Sequence, residues 1–386
     1  MQKRKGFTLI ELLVVISIIA LLIGILLPAL GRARRQANLI KDAANQRQIL
    51  TGLTTYSSSN RDRYPVPSNV DAKGATEGVD LLNSAPGSMD DPKYGAKDRT
   101  GAIFSVLIFN GNFNADLLIS PSEPNTNITT DENFRFSFNS NDTTIVNEPA
   151  LAQWDPRFKG TPLQAGGSVG SAVSDFSGKK DGAVVDLTSG AGATLGIEGN
   201  FSYAHVPLFG ARRGAWGANF SSLSSVVSTR GPVYTENLVQ TAGTGQSVGP
   251  DSQGAAMHPI SNEWALVNGR EGTLSDALRF GGSSRSWSGN VGFSDGHVEQ
   301  INDPNPASLT YTPLGDVSSG GTTPQPVPDN LFVDEKDESL QTTQGSSRTN
   351  RYLRPFAVGL DTSATLDGDS FATALYKSAW WDGRSF

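Results

Sequence analysis

Residues 5–30 read KGFTLIELLVVISIIALLIGILLPAL, and this stretch decides the fold. From Leu12 to Leu27 nothing is charged, and only Ser17 and Gly24 interrupt the apolar side chains. An apolar run of eighteen or more residues can cross a hydrocarbon core of ~30 Å at ~1.5 Å rise per residue. A secretory signal would be shorter and would end in a small-residue cleavage site. Here the run passes into Pro28 and then Arg32, Arg34 and Arg35, so it is expected to stay on the mature protein as a membrane helix. Its one charge is Glu11. A carboxylate inside an apolar helix costs a few kcal/mol and is usually paired and functional, unless it lies close enough to the interface to stay hydrated.

The helical pattern continues beyond the apolar run. Ala33, Ala37, Ile40 and Ala44, then Ile49, Leu53 and Tyr56, recur at helical spacing, with Arg34, Arg35, Gln36, Lys41, Asp42 and Arg47 mostly off that stripe. One helix from about Thr8 to Tyr56 would be roughly 70 Å long. Its outer half should lay the stripe against a globular domain, and the run Ser57-Ser58-Ser59-Asn60 should end it.

The chain has 386 residues and a net charge of −7, ordinary for a soluble region on one anchor. The first 47 residues are strongly basic, so the remainder is more acidic than the total suggests. That balance argues against a nucleic-acid partner, which needs a basic face, and the early basic cluster is better suited to lipid headgroups. The absence of cysteine excludes disulfides and thiolate metal sites and leaves the redox compartment open. With 42 glycines and 21 prolines, the outer region reads as loop-rich with short strands. Residues 66–100 form a polar, Gly/Pro-studded loop and Ile103–Phe109 an apolar run. Strands are expected at 134–139, 183–187, 201–206, 224–228, 232–235 and 263–267. Gly243–Gly254 and Ser318–Pro328 read as flexible stretches, and the charged run Asp334–Glu338 as a solvated surface insertion. Asp295-Gly296, between two short alternating runs, signals a two-residue hairpin turn with positive φ at both positions. The fold class is α+β: a long amino-terminal helix on a β-rich domain.

Signals for turnover chemistry are sparse. G-x-S-x-G occurs at Gly166–Gly170 and at Gly245–Gly249, but a hydrolase elbow needs a strand before it and a helix after it. Both matches sit in Gly/Ser-rich stretches and read as loop. His205, His258 and His297 are scattered without metal-ligand spacing and read as packing or surface residues. Asp361, Asp367 and Asp369 offer oxygen ligands to Ca2+, although turn chemistry explains Asp-Gly-Asp as well and the spacing is not that of an EF-hand. Trp380-Trp381 reads as core or rim packing.

The ordered set Gly6-Phe7-Thr8-Leu9-Ile10-Glu11, behind the basic leader Lys3, Arg4, Lys5, closely resembles the type IV prepilin and type II secretion pseudopilin signature. The resemblance implies that a prepilin peptidase cuts between Gly6 and Phe7 and methylates the new amine of Phe7. It implies that Glu11 pairs with the free amine of a neighbouring subunit in a filament, and Pro28 falls where many such chains carry a helix-disrupting proline. Basic residues flank both ends of the apolar run and give no orientation. The resemblance places the leader in the cytoplasm, one span in the inner membrane and the bulk in the periplasm.

It also implies this division: leader 1–6, transmembrane helix 7–30, outer helix 31–58, β-rich domain with insertions 59–386. Three further segments resemble large pseudopilin-like proteins of Planctomycetes-type bacteria. These are Tyr56–Pro65 (YSSSNRDRYP), Ala115–Ser122 (ADLLISPS, with Ser120 where a Cys is common) and Gly289–Ile301 (GNVGFSDGHVEQI). In the last, Arg285 stands where those relatives carry a His. The expected protein is a non-enzymatic, pilin-like subunit of a type II secretion-like pseudopilus. Its expected partners are itself, other pilin-like subunits and the prepilin peptidase. Alternatives are a type IV pilus or surface adhesin subunit, or a tethered ectoenzyme or binding domain.

Overall fold

The computed structural model describes residues 8–71, 75–76, 98, 100–125, 128–141, 148–155, 158, 199–206, 208, 212, 216–232, 234–236, 264–266, 273–281, 286–311, 326–333, 351, 353–358 and 376–378. The architecture is α+β, with helix α1 (Leu9–Ser59) packed on an antiparallel sheet. At 51 residues, α1 is about 77 Å long. Thr8 caps it in an extended conformation, and Asn60 ends it with its N–H on the Ser57 carbonyl. The pattern therefore located both ends to within a few residues.

Among the described residues nothing packs on the apolar half of α1. Its side chains from Leu9 to Leu30 are exposed, from 46 % at Val14 to 79 % at Leu9. Among the described residues this is the one helix long and apolar enough to cross a membrane. Burial begins at Leu39 and continues through Asp42, Asn45, Gln46, Ile49, Leu50, Leu53 and Ser57. The expected stripe holds at Ile49 and Leu53 but not below them. Ile40 is 62 % exposed, while Asp42 is fully buried. The docked face is rotated because polar contacts to the sheet, not apolar ones, hold this part of the helix.

The main sheet has the order β1-β2-β5-β6: β1 (Tyr203–His205), β2 (Ser225–Thr229), β5 (Gly289–Phe293) and β6 (Val298–Ile301). All its pairs are antiparallel, with Tyr203 opposite Thr229, Val227 opposite Gly292 and Asn290 opposite Gln300. Between β2 and β5 the chain makes a separate pair, β3 (Tyr234–Glu236) with β4 (Trp264–Leu266). The four strands expected here, β1 to β4, formed within a residue or two of their predicted bounds. Two further pairs join β7 (Thr310–Tyr311) to β8 (Val327–Pro328) and β9 (Phe356–Val358) to β10 (Tyr376–Ser378). The expectation of a flexible stretch through Pro328 is thus corrected at its end, where Val327–Pro328 pairs with Thr310–Tyr311.

α1 lies across β5. A side chain at Gly292 would meet Leu50 Cδ1 at 2.8 Å and Val227 Cγ1 at 2.9 Å, so the close approach of helix and sheet requires glycine there. On this seam Ile49, Leu50 and Leu53 join Val227, Val291, Phe293, Tyr203 and Trp287 in one core. Helix α2 (Pro67–Val70) adds one turn where a loop was expected, started by Pro67 at its first position. The run at 103–109 belongs to helix α3 (Thr100–Phe109), buried from Thr100 to Ile108, which is why no amphipathic period shows in its sequence.

Two expectations fail in detail. FRFSFN at 134–139 alternates but forms no strand. Asp155 Oδ2 accepts the Arg135 N–H at 2.8 Å, and Phe134 packs on Phe136 and Phe158, so local contacts take the groups a ladder would use. The turn at Asp295-Gly296 is also not the two-residue type. Gly296 N–H donates to the Phe293 carbonyl and Phe293 N–H to that of His297, closing a three-residue loop. Only Gly296 has positive φ there, at +90°, because Asp295 Oδ1 instead accepts the His297 N–H.

Candidate functional site

Two places on α1 carry polar chemistry: its amino end and its docked face. At the amino end, Thr8 and Glu11 form a reciprocal cap. Thr8 Oγ1 accepts the Glu11 N–H at 3.3 Å, while the Thr8 N–H and hydroxyl each donate to Glu11 Oε2 at 2.8 Å. The carboxylate is thereby turned toward the helix amino terminus, where the helix dipole favours an anion. Its Oε1 has no partner among the described residues. Such a group can accept from a cation brought to that end. Gly6 and Phe7 lie outside the described residues.

The docked face centres on Asp42, a fully buried carboxylate that the helical pattern alone puts off the stripe. Oδ1 accepts the Tyr203 hydroxyl at 3.0 Å. Oδ2 accepts Asn290 Nδ2 at 2.7 Å and Gln46 Nε2 at 3.2 Å. The same two amides clamp backbone: Asn290 Nδ2 donates to the Leu39 carbonyl at 2.9 Å, and Gln46 Nε2 to that of Asn290 at 3.1 Å. Burial pushes the Asp42 carboxyl above the ordinary aspartate value, while hydrogen bonds from Ser120, Asn290, Tyr203 and Gln46 pull it back. Burial and the neighbouring Asp42 charge raise the Tyr203 hydroxyl well above a normal tyrosine. Every donor to Asp42 is neutral, so this is a hydrogen-bonded lock and not an ion pair.

Beside it lies a buried ion pair. Arg230 Nη2 meets Glu123 Oε1 at 2.7 Å and Nε meets Oε2 at 3.1 Å, a two-point geometry typical of strong guanidinium–carboxylate contacts. Two of the three segments that resembled pseudopilin-like proteins meet α1 at Asp42. Ser120, in the Cys position of the second, faces Asp42, and Asn290 of the third donates to it. The first, which contains the end of α1, packs elsewhere: Tyr64 lies edge-on against Trp216 at 5.3 Å, and Trp216 Nε1 donates to the Pro65 carbonyl at 3.0 Å.

The remaining candidates divide plainly. His205 is buried between Phe104 and Trp216. Its Nδ1 lies 2.6 Å from the Val206 carbonyl, which can only accept, so Nδ1 carries the proton and Nε2 accepts from Thr100 Oγ1 at 2.7 Å. Burial lowers its pKa to about 4, keeping it neutral. His297 is on the surface and stacks on Phe293 at 4.3 Å. Both fit the packing reading. Among the described residues no three metal-ligating side chains converge. Outside the described residues lie Asp361, Asp367 and Asp369, both G-x-S-x-G segments, His258, Arg285, Trp380-Trp381 and the expected strand at 183–187.

Comparison with known proteins bears on the amino end. Residues 1–27 match the model for the prokaryotic N-terminal methylation motif. A stretch of 38 residues is 60% identical to the type IV wide pilus major component PilA4 of Thermus thermophilus. That match covers 10% of this chain and 29% of the relative. No solved structure matches the chain. The chain is type IV prepilin-like or pseudopilin-like at its amino-terminal segment, with an apolar helix suited to a membrane anchor.

Proposed function

We propose that this chain is a pilin-like filament subunit of a type II secretion-like pseudopilus, cut between Gly6 and Phe7, methylated at Phe7 and assembled through α1. The observation that carries this reading is the division of α1. A methylation motif leads into an apolar half left exposed by the described residues, and a large domain is locked onto the other half. An apolar helix left bare in the isolated chain needs lipid or other helices around it. Glu11, self-capped through Oε2 with Oε1 open, gives such helices a reason to stack in one register, because a carboxylate in apolar surroundings gains most from a cationic partner.

In this reading residues 1–6 are a cytoplasmic leader, 7–30 cross the inner membrane, 31–58 carry the head and 59–386 form it in the periplasm. A type IV pilus subunit is the second reading, favoured by the pilus relative with which the amino-terminal stretch shares 60% identity. The subunit is not expected to turn over a substrate.

Mass spectrometry of the mature amino terminus tests the processing. N-methylphenylalanine at position 7 is expected, and an intact Met1 would refute it. Filaments sheared from cells should contain the wild-type chain and lack Glu11→Ala. Equal co-pelleting of the two would remove Glu11 from the assembly mechanism.

A further inference from the structure

Between the apolar run and the docked head, α1 has a bare neck. Gly31–Ala37 is exposed throughout, and burial starts only at Leu39. The neck carries Arg32, Arg34 and Arg35, none with an ion-pair partner among the described residues. Beyond Leu30, the only acid on α1 is Asp42, which is buried. In a chain of net charge −7 this is a basic cluster that no described acid neutralises.

Its position selects the ligand. At ~1.5 Å per residue, the three arginines lie roughly 3–8 Å past Leu30 along the axis, within the ~5–8 Å polar layer that separates the hydrocarbon core from water. Arg35 is four residues before Leu39 and seven before Asp42, and Arg32 is seven before Leu39, so both continue the docked stripe downward, beneath the head. At that height the anions at hand are lipid phosphates. A guanidinium binds a phosphate through two parallel hydrogen bonds.

We propose that Arg32, Arg34 and Arg35 form a headgroup site for anionic phospholipid in the leaflet beneath the head, setting the height at which the domain stands above the membrane. The inference rests on residues 7–30 spanning the bilayer. Each basic residue near an anionic surface contributes ~1 kcal/mol, so three favour an anionic over a zwitterionic lipid by about 100-fold.

The test uses the full-length chain purified in mild detergent with an equimolar mixture of phosphatidylglycerol and phosphatidylcholine, and native mass spectrometry of the lipids retained. Wild type should retain phosphatidylglycerol with a strong preference. The triple variant Arg32→Gln, Arg34→Gln, Arg35→Gln should retain both alike, and the triple Lys variant should keep most of the preference. These side chains are exposed and without ion-pair partners among the described residues, so neither variant should impair folding. Flotation of the reconstituted protein through alkaline carbonate separates the two claims. Protein that floats but shows no lipid preference overturns the headgroup site alone; protein that does not float overturns the membrane span and the site with it. A Gln variant with unchanged lipid retention but altered self-association would assign the cluster to a second chain and overturn the lipid proposal.

Discussion

Asp42→Ala tests whether the head is locked to α1 by polar contacts. Four donors surround the carboxylate, and they do not lose equally when it goes. Asn290 Nδ2 keeps the Leu39 carbonyl and Gln46 Nε2 keeps that of Asn290. The Tyr203 hydroxyl, fully buried, loses its acceptor outright. An orphaned buried donor costs ~1–3 kcal/mol, partly offset because the variant no longer buries a charge. The expected net loss is about 2 kcal/mol. Tyr203→Phe isolates the reasoning: alone it should cost ~1 kcal/mol, but in the Asp42→Ala background it removes the orphan and should cost nothing, a coupling of about 1–2 kcal/mol. Denaturant unfolding of the full-length chain in detergent, followed by tryptophan emission, reads this through the buried Trp154, Trp216 and Trp287. Independent sites add within ~0.5 kcal/mol, and a coupling no larger than that would refute the lock.

Two buried titratable groups, His205 and Asp42, pull stability in opposite directions with pH. His205, lowered from 6.5 to about 4, leaves the folded chain binding fewer protons than the unfolded one between those values. Stability should therefore fall by up to ~3 kcal/mol as pH drops through that window, and His205→Gln should flatten the slope in acid titrations. Asp42, raised above 3.8, contributes stability that is present at low pH and lost as pH rises through its folded value, so Asp42→Ala should remove a loss on the alkaline side of that window. Glu123→Ala would leave Arg230 buried without its carboxylate, at ~3–5 kcal/mol in chemical denaturation. Gly296→Ala has free space but must hold φ near +90°, costing ~1 kcal/mol. Gly292→Ala would instead wedge α1 off β5, costing ~1–3 kcal/mol and a matching fall in Tm.

What the sequence made legible is what short-range physics controls. The apolar run, the helical spacing beyond it and the Ser57–Asn60 stop located the ends of α1 within a few residues. Short β-prone runs marked β1 to β4, which pair β1 with β2 and β3 with β4. Alternation misled at FRFSFN, since a strand pattern does not supply a partner strand and Asp155 had already taken the Arg135 N–H. The Asp42 lock was out of reach. Its partners Tyr203 and Asn290 are 161 and 248 residues away along the chain, and their convergence is a property of the assembled sheet. Asp42 does lie in register with Leu39, Gln46 and Ile49, but only burial in the structure distinguishes that register from the Ala37-Ile40-Ala44 spacing, which puts Asp42 off the stripe.

The same division of α1 assigns Pro28 its place. Lacking an N–H, Pro28 leaves the Gly24 carbonyl without its helical donor, yet the helix runs through unbroken. A missing rung weakens a helix locally, and this one lies eleven residues below Leu39, where burial begins. A rung missing between Leu39 and Ser57 would have set helix bending against the Asp42 lock and the Gly292 seam together. Below the neck it opposes none of them. Under the proposed function, the anchor can therefore change its angle during packing while the head stays fixed to the outer half, the first half answering to lipid and neighbouring helices and the second to the chain's own sheet.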